Sequence, residues 1–210
     1  MEIMVAVFVL FVVLAFIPAM LKENYHDKDV SENIINAYGQ PEESFFLQRD
    51  VFTIHQHSSI SDSNDMIRFD IETDFPSLHD HTCIYDQNGK KISEFSSSLF
   101  SFHDRHTITM ASGICFDVTS ELFRFFSTVM NIDELGWKLE GDFFSLNFTI
   151  KDRNNELIAV ICQKAFSFHD RYCIDIYNTY YTNEIITIVI VLQHIIRRRS
   201  QQHSNSTSSN

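Results

Sequence analysis

Basic residues are in short supply: 16 lysines and arginines stand against 28 aspartates and glutamates, a formal net charge of -12 over 210 residues. Proteins that bind nucleic acid by neutralising phosphates carry a basic face, so no nucleic-acid partner is expected. Cysteine is sparse as well. Cys83, Cys115, Cys162 and Cys173 form no Cys-x-x-Cys pair and are too few for a disulfide scaffold. Three of them alternate with apolar neighbours, and all four are expected to be small buried thiols with no metal role. Glycine occurs five times, and no Gly-rich phosphate loop, Gly-x-Ser-x-Gly elbow or metalloprotease signature is present. The chain is therefore expected to be non-enzymatic, with no cofactor and no metal.

What the chain does have is a recurring phrase. Phe75-Pro76-Ser77-Leu78-His79-Asp80-His81 is echoed by Phe100-Ser101-Phe102-His103-Asp104-Arg105 and by Phe166-Ser167-Phe168-His169-Asp170-Arg171, with weaker copies at Phe144-Ser145 and Phe126-Ser127. The beat of about 22 residues falls in the range of stacked supersecondary units. Each full phrase leads into alternating, β-branched sequence such as Thr82-Cys83-Ile84-Tyr85, Thr107-Ile108-Thr109-Met110 or Tyr172-Cys173-Ile174-Asp175-Ile176. That is the period of half-buried strands, and the repeat unit reads as a β-hairpin.

Two apolar runs need separate treatment. Ile3 to Leu21 carries no charge and, at about 1.5 Å per residue, matches the roughly 30 Å of a bilayer core. An uncleaved membrane anchor is the leading reading and a cleaved signal peptide its rival, because Glu2 replaces the usual positive leader. Lys22 and Lys28 follow the run, which by the positive-inside tendency makes this a single-pass membrane protein with a cytoplasmic main domain. The second run, Ile185 to Ile196, spans about 18 Å as a helix, too short for a bilayer. A helix apolar on every side belongs inside protein. Thr182 or Asn183 can accept at its N-cap, and Glu184 and Arg197-Arg198-Arg199 suit the two ends of its dipole. A β-strand is the structural rival, since Ile and Val favour strands.

The Gly136-Trp137-Lys138-Leu139-Glu140-Gly141-Asp142-Phe143-Phe144-Ser145 block, the Asp152-Arg153-Asn154-Asn155-Glu156-Leu157-Ile158-Ala159 turn and strand, and the return through Gln163-Lys164-Ala165-Phe166-Ser167-Phe168 resemble the LURP-one-related family of the tubby C-terminal-like superfamily. The likeness runs over roughly residues 45 to 199. It implies a mainly β fold, a closed antiparallel β-barrel around a central hydrophobic C-terminal helix, with the N-terminal transmembrane helix added. A barrel of many strands is hollow unless something fills it, and an all-round apolar helix is such a filler. The expected division is an anchor over 1–21, a polar linker over 22–44, the barrel over 45–199 with its helix over 183–199, and a disordered tail over 200–210. Expected strands are Val51–Gln56, Met66–Thr73, Thr82–Asp86, Lys91–Phe95, Thr107–Met110, Cys115–Thr119, Phe123–Thr128, Trp137–Gly141, Phe148–Asp152, Leu157–Cys162 and Cys173–Ile176, with a tight turn at Asp86-Gln87-Asn88-Gly89-Lys90.

The repeated His-Asp pairs invite a metal or proton-transfer reading, but a motif repeated in each hairpin is spread around a barrel, and turn chemistry through Ser and Asp accounts for it. His55-x-His57 and His79-x-His81 set two imidazoles on one strand face without a third ligand close in sequence. Contact with anionic lipid falls to Arg197, Arg198, Arg199 and Lys164, against the plainer reading of a solvated helix terminus. The resemblance implies a membrane-anchored domain that binds a phospholipid, a small apolar ligand or a protein at the membrane surface. Scramblase-like lipid transfer, in which Ile185–Ile196 would leave the barrel, and a secreted or surface-exposed binding module are the alternatives. Nothing in the sequence sets an oligomeric state.

Overall fold

Along Thr82-Cys83-Ile84-Tyr85, alternate side chains turn inward: Thr82 and Ile84 are buried, while Cys83 and Tyr85 lie half-buried on the opposite face. This two-residue period recurs through the computed structural model, which describes residues 34, 36–48, 57–74, 79–98, 105–119, 129–143, 146–164 and 171–206. Only backbone is described at 48, 57, 79–80, 97–98, 105, 119, 163–164 and 197–206. The chain divides into two units, residues 1–40 and 41–210. In the first, Asn36 to Tyr38 are helical.

The second unit contains β1 (Glu43–Gln48), β2 (His57–Asp62), β3 (Ile67–Asp74), β4 (His79–Asp86), β5 (Lys91–Ser98), β6 (Arg105–Met110), β7 (Cys115–Thr119), β8 (Val129–Ile132), β9 (Trp137–Asp142), β10 (Asn147–Lys151), β11 (Leu157–Lys164) and β12 (Arg171–Ile176), then a 3-10 turn (Thr179–Tyr181) and the helix α1 (Thr182–Ser206). Among the described residues, 12 strands form one sheet in the order β7-β6-β5-β4-β3-β2-β1-β12-β11-β10-β9-β8. Each ladder is antiparallel, and the first and last strands join in register, Phe45 opposite Ile174 and Leu47 opposite Tyr172. Among the described residues no ladder links β7 to β8. The result is a nearly closed antiparallel barrel.

Strict alternation of direction sorts the connections between two rims. The β2–β3, β4–β5, β6–β7, β8–β9 and β10–β11 hairpins and the lead into α1 share one rim. Four of these hairpins use a three-residue loop whose last member is left-handed: Asp65 (φ 59°), Gly89 (74°), Gly113 (89°) and Asn155 (64°). This is a type I turn closed by a bulge. In three of them the aspartate before the loop steadies it: Asp62 Oδ1 accepts from the amides of Asn64 and Met66, Asp86 Oδ1 from Asn88 and Lys90, and Asp152 Oδ1 from Asn154 and Glu156, at 2.8 to 3.1 Å. The other rim holds the connections that contain the Phe-Ser phrases. One beat of the sequence repeat is thus one up-and-down pair of strands. The phrase residues 75–78, 100–104 and 166–170 lie outside the described residues.

The interior is filled by α1. From Ile185 to Gln193 every residue is buried, Ile185, Ile186, Ile188, Val189, Val191 and Leu192 completely, in one core with Leu47, Ile60, Ile84, Ile108, Leu139, Ile161 and Ile174 from the barrel wall. A helix surrounded by strands meets apolar side chains on every face, which is why its sequence has no polar stripe. Ser93 on β5 bonds Thr187 on the first turns of α1. Further along, the His194 ring packs edge-on against Phe95 and His106, with centroids 5.7 and 5.6 Å apart. The helix therefore runs from the hairpin rim toward the phrase rim.

Several expectations need correction. Among the described residues no helix is long and apolar enough to cross a membrane, so the transmembrane helix and the single-pass localisation with a cytoplasmic main domain are not supported. The stretch Ile3–Leu21, on which they rest, lies outside the described residues, as do the expected strands Val51–Gln56 and Phe123–Thr128. β1, β2 and β8 are strands that the sequence reading does not include. The helix continues past Arg199 to Ser206, so the three arginines lie within it and are not its dipole-capping end. Its entry is also built differently: Thr182 Oγ1 donates to the Thr179 carbonyl at 2.9 Å, and Asn178 Oδ1 caps the 3-10 turn by accepting from the Tyr180 amide at 3.1 Å.

Candidate functional site

The four cations singled out by sequence are brought to one end of the barrel by the backbone alone. Lys164 is the last residue of β11, paired with Arg171 at the phrase rim, and α1 reaches Arg197–Arg199 only after traversing the interior. Only the backbone of these four residues is described.

The densest chemistry among the described side chains is elsewhere, on the outer face of β3, β4 and β5. Cys83 is the centre of a cross-strand row, opposite Glu72 on β3 and Glu94 on β5. His81 and Tyr85 stand two residues either side of it and therefore share its face. Cys83 Sγ is 3.8 Å from His81 Nδ1, and His81 Nε2 is 3.5 Å from Glu94 Oε2. Lys91 Nζ donates to the same Glu94 oxygen at 2.6 Å. Beside this row, Ile67, Asp70, Glu72, Tyr85 and Asp86 border an open cleft of about 600 Å³.

The electrostatics of the row follow from these contacts. The Lys91 ammonium, and more weakly His81, hold the Glu94 carboxyl below its ordinary range, and Glu94 raises Lys91 in return. The Tyr85 hydroxyl is pushed up to about 12, first by its hydrogen bond and charge interaction with Cys83, then by burial and by Glu72. A second outward cluster lies on β9 and β10, where Glu140 takes Lys138 at 2.5 Å and Lys151 at 3.1 Å and is held low by both.

The cysteines differ from expectation. Only Cys173 is buried; Cys83 and Cys162 are half-buried and Cys115 is exposed. The reason is register: Cys83 and Cys115 fall on the outward parity of their strands, alternating with the buried Ile84 and Phe116. Of the paired imidazoles, His81 has its side chain in the row just described, whereas those of His57 and His79 are not described and His55 lies outside the described residues. The missed partners were partly legible, since His81-x-Cys83-x-Tyr85 is a period-two polar stripe. Glu94 joins it only through the β4–β5 register.

Twelve described strands in a nearly closed antiparallel barrel, joined first to last and filled by the C-terminal helix, define a tubby C-terminal-like barrel. The profile of the LURP-one-related family matches residues 43–193, and the chain belongs to that family. No curated protein matches it. Among solved structures, it is similar to an X-ray structure of a protein from Arabidopsis thaliana, at 13% identity and a TM-score of 0.49, over 76% of this chain and 94% of that one.

Proposed function

We propose that this chain is a non-enzymatic binding module that meets anionic phospholipid headgroups at the phrase rim, through Arg197, Arg198, Arg199 and Lys164. The observation that carries the reading is the course of α1, whose last buried residue is Ile195, followed by half-buried Ile196 and then the three arginines. Each arginine near an anionic surface contributes roughly 1 kcal/mol. The filled interior supports contact from outside, because Ile188 to Leu192 occupy the space that a small apolar ligand would need. Scramblase-like release of this stretch is disfavoured by the same packing and by the Ser93–Thr187 bond.

The overall charge of -12 opposes long-range attraction to an anionic surface, so the contact is expected to be short-ranged and salt-sensitive. Flotation of the purified chain on neutral and anionic vesicles, at low and moderate salt, tests this. The expected result is binding to anionic vesicles alone, weakened by salt and lost when Arg197, Arg198 and Arg199 are changed to Ser. Absence of binding in every condition overturns the headgroup reading and turns attention to a protein partner at the same rim.

A further inference from the structure

We propose that His81, Cys83 and Glu94 bind a thiophilic divalent cation, Zn²⁺ by preference, on the outer face of β4 and β5. One donor atom from each residue lies within 4.8 Å of the others. Metal–ligand lengths of about 2.0 to 2.3 Å in a tetrahedral site put its donors roughly 3.3 to 3.7 Å apart. The 3.8 Å between Cys83 Sγ and His81 Nδ1 is already close to that spacing.

Two features of the fold prepare the set. His81 and Cys83 are two residues apart on a single strand, so their side chains project in parallel from a rigid backbone. Glu94 is directly opposite Cys83 across the β4–β5 ladder, one of the shortest side-chain separations a sheet offers. The remaining movement is small. Glu94 now faces His81 Nε2 and Lys91 Nζ, and it must swing toward the Nδ1 side to close the set, giving up a surface ion pair that contributes little. All three residues are partly exposed, so a cation can arrive from solvent.

The donor types select the ion. A thiolate and an imidazole favour Zn²⁺ or Co²⁺ over Mg²⁺ or Ca²⁺, which take oxygen ligands. Cys83 gives up its proton on binding, and that proton leaves to solvent. The fourth position is left to water, with Glu72 facing Cys83 from the β3 side. The same outer face contains no residue of the rim invoked for lipid contact, so either proposal can fail without the other.

Co²⁺ titration of the reduced, metal-free full chain reads the site directly. The expected result is a thiolate-to-cobalt charge-transfer band with visible bands of tetrahedral intensity, saturating at one equivalent, displaced by Zn²⁺ and unaffected by Mg²⁺. Cys83→Ser removes the charge-transfer band, and His81→Ala and Glu94→Gln each weaken binding at least tenfold. Cys115→Ser, at the exposed thiol on β7, leaves the titration unchanged. These positions face outward on their strands, and circular dichroism of each variant should match the parent. No band in the parent chain, a band that survives Cys83→Ser, or undiminished affinity in either of the other two ligand variants overturns the assignment.

Discussion

Ser93 Oγ on β5 lies 2.7 Å from Thr187 Oγ1 on α1, and both side chains are sealed from solvent. Thr187 has one hydroxyl proton, and it goes to the Asn183 carbonyl at 2.7 Å. Ser93 must then donate and Thr187 accept. This pair is a buried polar joint that ties the wall to its filler near the start of the helix.

Removing only the acceptor, with Thr187→Val, leaves a buried serine hydroxyl without its partner and is expected to cost about 1 to 3 kcal/mol. Adding Ser93→Ala to that variant removes the orphaned group, so the double change should cost clearly less than the sum of the two single changes. Urea unfolding of the four proteins completes the cycle. Additive costs would show that the joint contributes no coupling.

Gly141 has φ of 142°, and a Cβ built there would collide with the Asn147 carbonyl oxygen and lie 2.6 Å from Phe148 Cα. These are backbone atoms of the paired strand β10, so no side-chain rotation relieves the clash. Gly141→Ala is expected to destabilise the barrel by more than about 1 kcal/mol. Gly113 has φ of 89° with open space around it, and Gly113→Ala should incur only the backbone strain. Thermal unfolding that ranks Gly113→Ala as the more damaging change would contradict the register of β9 with β10.

Asp86 is held below the ordinary aspartate range chiefly by the amide of Lys90, then by that of Asn88. Asp62 is also low, because the amides of Asn64 and Met66 and the Arg68 guanidinium outweigh the effect of burial. A carboxyl whose folded pKa is depressed adds stability above its unfolded value of about 4, and that stability is lost as pH falls through the folded pKa. The urea midpoint should therefore decline below about pH 4. Asp86→Asn keeps an acceptor for the two amides but removes the titration, and it should flatten that acid limb. An unchanged slope in the variant would mean that Asp86 is not among the groups responsible.

The strands most legible in the sequence were those whose inward positions are all apolar. Phe116 and Val118 on β7, and Phe148 and Ile150 on β10, give clean alternation. β2 hides because its inward positions are Ser58, Ile60 and Asp62, and one apolar residue in three carries no period. β8 has only Met130 and Ile132 turned inward, too short a run to stand out. In β1, Phe46 sits on the outward parity between Phe45 and Leu47, which erases the alternation. The helix was ambiguous for the opposite reason: uniform burial removes periodicity, and only the need to fill a barrel decides between helix and strand.

The site was less legible than the fold. His81 and Cys83 announce a shared face by their spacing, but Glu94 reaches them through a ladder whose register shifts at a bulge between Ile84 and Tyr85. Single-strand patterns contain no information about such a shift.

The filling of the barrel by α1 also bears on how the chain comes to be folded. Ser44 and Asp175 share a hydrogen bond across 131 positions of sequence, so the cylinder cannot shut until β12 exists. The stretch that occupies its centre follows β12 in the chain. During synthesis the wall strands thus emerge with their greasy faces turned toward an empty middle, a slow and aggregation-exposed arrangement. The plug leaves the ribosome only after every described strand of the wall that it fills.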